Sequence, residues 1–169
     1  RLAQAGYSST EALELTKKTL LALNTAELDA TQATEDMVAV MAQWGLMTGT
    51  ANEQAETYGN IIDKINKVAD NFPTTSEDIL EALKKTSSAF NIAGASIDET
   101  IAMIVAAETA SQRGGKTIGT ALSNIIQQLR TEGRLSLAEE MGLDFFTDTD
   151  KTEFRPIMEI FADMSQMMQ

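Results

Sequence analysis

Residues 110–117, ASQRGGKT, fit the relaxed phosphate-loop pattern: Ala110 stands for the first glycine, and Gly115, Lys116 and Thr117 follow at the required spacing. A loop of this kind wraps phosphates in backbone N–H groups, neutralises them with its lysine and holds magnesium through the hydroxyl. The chemistry it suggests is nucleotide binding. A second candidate is the acidic turn. Asp148, Asp150, Thr152 and Glu159 occupy positions one, three, five and twelve of a calcium-loop template, but Glu153 replaces the glycine needed at position six and Pro156 intrudes at position nine. A third is carboxylate pairing for glycosidase chemistry, at Glu139–Glu140 or Asp148–Asp150.

Each candidate depends on the elements that would have to position it. A phosphate loop joins a buried parallel strand to a helix. Here the preceding segment opens on a capping box, Ser96-Ile97-Asp98-Glu99, and places Ile97, Ile101, Ile104 and Val105 at helical spacing. Gly114-Gly115 therefore reads as the break between two packed helices, with Lys116 solvated. Neither acidic pair lies in an apolar setting that would separate two carboxyl pKa values. The chain has no cysteine and no histidine, which excludes thiolate metal sites, disulfides and histidine-based acid–base pairs within it. No catalytic, cofactor-binding or metal-binding residue is assigned, no cofactor is expected, and the chain is read as not an enzyme.

The 169 residues suffice for one domain, 1–169, burying about 70% of its unfolded surface. A sub-boundary is expected near 142–155. A formal net charge of −12, from 25 acidic and 13 basic side chains, argues against specific nucleic-acid binding. Aromatics make up 5% of the chain and methionines number nine, so the core is expected to be aliphatic and adaptable. No apolar run approaches the length of a membrane span. The chain opens on Arg1, from which a longer parent polypeptide is expected.

Helix starts and stops are frequent. Ser8-Ser9-Thr10-Glu11 and Thr50-Ala51-Asn52-Glu53 are further capping boxes, and Asp29 with Gln32 and Thr75 with Asp78 are looser forms. Gly45, Gly94 and Gly142 stand where left-handed caps belong, and Pro73 closes the segment ending at Phe72. Between these marks the apolar spacing is helical. The stripes are Ala33, Met37, Val40, Met41 and Trp44; Ala51, Ala55, Tyr58, Ile62, Ile65, Ala69 and Phe72; Ile118, Ala121, Leu122, Ile125 and Leu129; and Ile157, Ile160, Phe161, Met164 and Met168. The pattern predicts an all-α fold of about seven short helices packed as hairpins or a bundle. They fall near 9–24, 31–44, 51–72, 76–93, 97–111, 117–131 and 156–168, with a turn of helix over 135–141 and a small β-ribbon near 144–155.

The succession of segments carries a resemblance. GYSSTEALELTKKTLLALNTAELDATQATEDMVAVMAQWGL resembles the helical core of bacteriophage tail tape measure proteins. TTSEDILEALKKTSSAFNIAGASIDETIAMIVAAETASQRGGKTIGTALSNIIQQL is similar to that family's small-residue helix, glycine turn, apolar helix and GTAL helix, in that order. MGLDFFTDTDKTEFRPIMEIFADM is similar to its closing ribbon, FRP and final helix, although Thr152-Glu153 replaces a glycine often seen there.

The resemblance implies a non-enzymatic virion structural protein acting in tail assembly, length determination and genome ejection. Its location would be the tail lumen or tip, and the host cytoplasm during assembly. The partners implied are tail-tip or distal tail proteins, tail-tube proteins and other copies of itself, with host membrane contact after ejection. Two alternatives stay open: a generic helical protein–protein interaction module working through the Ala51–Phe72 seam, and a membrane-active segment over 97–129 released at infection.

Overall fold

The computed structural model describes residues 30–151 and 154–167, together with positions 8, 10, 13, 16 and 17. Seven helices lie within the described residues: α1 (Ala30–Gln43), α2 (Ala51–Ala69), α3 (Ser76–Ile92), α4 (Ile97–Ser111), α5 (Gly115–Leu129), α6 (Glu132–Glu140) and α7 (Ile157–Met167). The all-α expectation holds. The helix expected near 9–24 falls mostly outside the described residues, as do the Asp29 and Glu11 cap positions; Thr10, Leu13, Thr16 and Lys17 are helical.

The caps form where their chemistry predicts. Thr50 and Ser96 each close a full capping box, with Glu53 and Glu99 returning to the cap N–H at 2.7 Å. Thr75 accepts from the Asp78 N–H at 3.0 Å. Gly45, Gly94 and Gly142 take φ of 67°, 78° and 80°, the left-handed stop expected of them.

Three boundaries depart from expectation. α2 ends at Ala69, short of Phe72, because the chain turns through Asp70 and Asn71 before Pro73. α5 begins at Gly115, two residues early, because Gly114 serves as its N-cap. The turn expected over 135–141 is the nine-residue α6. Among the described residues the ribbon is one antiparallel bridge, Phe146 with Phe154, whose rings lie 4.6 Å apart. The neighbouring Arg155 N–H donates to the Phe145 carbonyl at 2.9 Å.

α3 is the hub. It packs on α1, α2, α4 and α5, most extensively on α5. Its buried residues include Ile79, Leu80, Ala82, Leu83, Thr86, Ser87 and Phe90, more than one narrow stripe. The two hydroxyls among them bond back to carbonyls one turn earlier, Thr86 to Ala82 at 2.9 Å and Ser87 to Leu83 at 2.6 Å, so their burial leaves no orphan donor.

The α3–α5 crossing is close because α5 offers no side chain there. A Cβ on Gly115 would lie 1.9 Å from the Asp78 carbonyl oxygen, and one on Gly119 would lie 2.8 Å from the Ala82 Cα. The stripe read over α5 is rotated accordingly. Gly115, Ile118, Gly119, Leu122 and Ile126 face the core, whereas Ile125 is 47% exposed and Ala121 is exposed.

Polar ties fix the other helices to the hub. The Lys84 ammonium meets the buried Asp36 carboxylate of α1 at 2.5 Å, and the Asn91 amide donates to the Gln43 carbonyl at 2.7 Å. At the far end of α3, the Ile92 carbonyl accepts from Arg130 at 3.1 Å and the Ala93 carbonyl accepts from the Ile157 N–H at 3.1 Å. Arg130 also lies 4.2 Å over the Phe154 ring. The closing segment is thereby held against the α3 C-terminus.

Candidate functional site

Residues 110–117 form a helix–turn–helix corner. α4 runs to Ser111, Gln112 takes a left-handed φ of 53° as its cap, and Arg113 and Gly114 lead directly into α5. A helix stands where a phosphate loop needs a strand. The α5 N-terminus still carries the positive end of a helix dipole and free N–H donors, the ordinary requirements of an anion site. An anion already fills it. The Gly115 N–H donates to the Asp78 carboxylate at 2.7 Å, and the other Asp78 oxygen accepts from the Thr75 hydroxyl at 2.8 Å. Asp78 thus belongs to the first turn of α3 while capping α5. Lys116 and Thr117 are exposed on the opening turn of α5.

Beside this corner lies a cleft of about 490 Å³ lined by Thr74, Thr75, Asp78, Glu108, Gln112 and Arg113, among others. Glu108 is the residue that sequence reasoning missed. It is 4% exposed, one carboxylate oxygen accepts from the Thr74 hydroxyl, and the other has no hydrogen-bond partner among the described residues. Burial pushes its carboxyl above the usual carboxylate range; the Thr74 hydrogen bond opposes that shift and the nearby Asp78 charge adds to it. The signal was present. Glu108 continues the spacing of Ile101, Ile104 and Val105, so a carboxyl occupies a core position of that stripe.

The other acidic candidates are dispersed. Glu139 pairs with Lys151 at 2.5 Å, and Lys151 takes a left-handed φ of 55°. Glu159 sits 3.6 Å from Arg155, which also binds Asp163 at 2.9 Å. Thr152 and Glu153 lie outside the described residues. Among the described residues, no group of three or more acidic side chains is placed to hold a metal ion. The cap glutamates are tuned for structure: the Thr50 backbone N–H and hydroxyl hold the Glu53 carboxyl below its usual range, and those of Ser96 do the same for Glu99.

Apart from Glu108, with its unpartnered oxygen, and the exposed Lys116 and Thr117, the polar groups described so far serve caps and ties within and between helices. They define an all-α structural module, a fold whose features lie in how its helices start, stop and cross. Among the described residues, no helix is long and apolar enough to cross a membrane. The chain belongs to the phage-related minor tail protein family, whose model matches residues 1–169. Membership makes it a structural component of a phage tail, carried in the virion. No solved structure matches the chain.

Proposed function

We propose that this chain is a core segment of a tail tape measure protein and that residues 1–169 act there as one folded anchoring module. The observation that carries this reading is the interruption of the helices. Between Ala30 and Leu129 the chain breaks at four places and folds back on α3 each time. A continuous helix converts residue count to distance at about 1.5 Å per residue. A folded bundle of this size spans a radius of gyration of only roughly 15 Å. Length measurement would then reside in other parts of the polypeptide, and this module would dock with tail-tip, distal tail or tail-tube proteins, or with further copies. The role is non-enzymatic, in the tail lumen or tip, after assembly in the host cytoplasm.

Ejection suits the same composition. A chain leaving through a tube must rearrange at modest cost, and a largely aliphatic core that includes Met37 and Met41, in a chain without cysteine, sets no covalent obstacle. The net charge of −12 limits adhesion to DNA sharing the channel. Host-membrane contact after ejection would need rearrangement of the apolar 97–129 segment.

In-frame deletion of residues 76–129 from the gene separates the two ways of setting length. An anchor should fail outright, leaving few or no tails. A ruler should give intact tails shorter by about 80 Å, at helical rise. Shortened, infectious particles in electron micrographs would overturn the anchoring reading.

A further inference from the structure

α2 and α4 both lean on α3 without closing against each other, and an apolar groove of about 600 Å³ runs between them. Val68 and Phe72 form one wall; Ile101, Ala102, Val105 and Ala106 form the other. The Lys64 ammonium clasps both Asp98 carboxylate oxygens across one end, at 2.6 and 2.8 Å. From that clasp to Ala110 the groove follows about three turns of α4, roughly 18 Å. Phe72, 51% exposed, stands on the α2 side.

Two observations point to what belongs there. α4 is apolar around most of its circumference, the pattern of a helix covered on every side. Its α3 side is covered, with Ile104 fully buried, while Ala102, Ala106 and Ala110 remain exposed at four-residue spacing and admit close approach of another backbone. Charge supplies the second argument. In a chain of net charge −12, this rim presents Lys64 and Lys67. Lys64 is neutralised by Asp98, whereas Lys67 has no carboxylate within ion-pair distance among the described residues. A second copy would bring a further net charge of −12 to this face, a repulsion that a helix of another protein need not carry. We propose that the groove receives an amphipathic helix of a different protein, apolar along one side and carrying a carboxylate where it passes Lys67.

The proposal goes beyond the tape measure reading and does not depend on it, since purified components test it. Two synthetic 18-residue alanine–leucine helices serve as probes, one with glutamate along a flank and one with lysine at the same positions. By calorimetry at low salt, the glutamate helix should bind the 169-residue chain at least tenfold more tightly than the lysine helix. Ala106→Arg, or Ala102→Arg should that variant fold poorly, should abolish binding while circular dichroism and Tm hold. Lys67→Glu should reverse the ranking. Absence of binding, equal binding of the two probes, or binding that the arginine variants leave unchanged would overturn the proposal. So would concentration-dependent self-association lost on Ala106→Arg, which would identify a second copy as the occupant. None of these results bears on the deletion test of tail length.

Discussion

The Asp78 carboxylate of α3 caps the first N–H of α5, 2.7 Å from Gly115 and 37 residues away in sequence. A single acidic side chain therefore lies in the first turn of one helix and caps the start of another. Asp78→Ala removes the acceptor of both the Gly115 N–H and the Thr75 hydroxyl. Hydrogen bonds to a charged group contribute about 1.5–3 kcal/mol, and a loss of that order is expected in urea denaturation. Asp78→Asn keeps an acceptor oxygen and should cost about half as much. With the carboxylate in place, Mg-ATP should leave the wild-type Tm unchanged; a rise of several degrees would show that residues 110–117 bind phosphate after all.

The crossing of α3 and α5 predicts opposite outcomes for glycines of the same type. A methyl on Gly119 would press on the Ala82 Cα and carbonyl oxygen at 2.8 Å, and main-chain atoms cannot step aside as a flexible side chain can. Gly119→Ala should destabilise by about 1–3 kcal/mol. Gly115→Ala, at 1.9 Å from the Asp78 carbonyl oxygen, should cost more. Gly59, inside α2, has nothing within 4 Å of the corresponding position. Gly59→Ala should therefore stabilise by about 0.5–1 kcal/mol, the ordinary helix gain. Thermal or urea unfolding of the three variants reads the contrast directly.

Arg130 joins the C-terminus of α3 to the closing segment through geometry that lysine cannot copy. Its guanidinium donates to the Ile92 carbonyl at 3.1 Å and covers the Phe154 ring at 4.2 Å. A planar cation serves both contacts at once. Arg130→Ala should lower stability by about 1–2 kcal/mol, and Arg130→Lys should recover less than half of it. Hydrogen exchange should show faster opening over 143–167 than over α3, since that segment loses a tie while the hub keeps its core.

Local chemistry was legible in the sequence, and packing geometry was less so. Thr50, Thr75 and Ser96 announced their helices because a cap and its partner lie three residues apart. Gly45, Gly94 and Gly142 announced the stops for the same reason of proximity. Gly115 and Gly119 were a different matter. A glycine that ends a helix and one that lets two helices touch look alike until the partner's backbone is known, so Gly114-Gly115 read as a break alone. That reading displaced the α5 start by two residues and turned the stripe from Ile126 to Ile125. Asp36 with Lys84, 48 residues apart, and Thr74 with Glu108, 34 apart, lay beyond any local pattern.

Glu108 makes stability depend on pH in a direction opposite to the caps. Its folded pKa is raised above the ordinary 4.5 by burial, so between 4.5 and the folded value the native state holds a proton that the unfolded chain has released. Stability from this group is full below pH 4.5 and falls as pH rises through that window. Glu53 and Glu99 have lowered pKa values, so their contribution is present above 4.5 and is lost as pH falls through their folded values. Glu108→Gln retains an acceptor for Thr74 and removes the ionisation. At pH 7 it should stabilise by about 1 kcal/mol, the scale for relieving a buried group short of a partner. Below pH 4 the variant and the wild type should converge, because both are then neutral at residue 108. Urea midpoints measured from pH 3.5 to 8 test this. A constant gap across the series would show that Glu108 acts through packing alone, and a variant less stable at pH 7 would show that the buried carboxylate is satisfied as an ion.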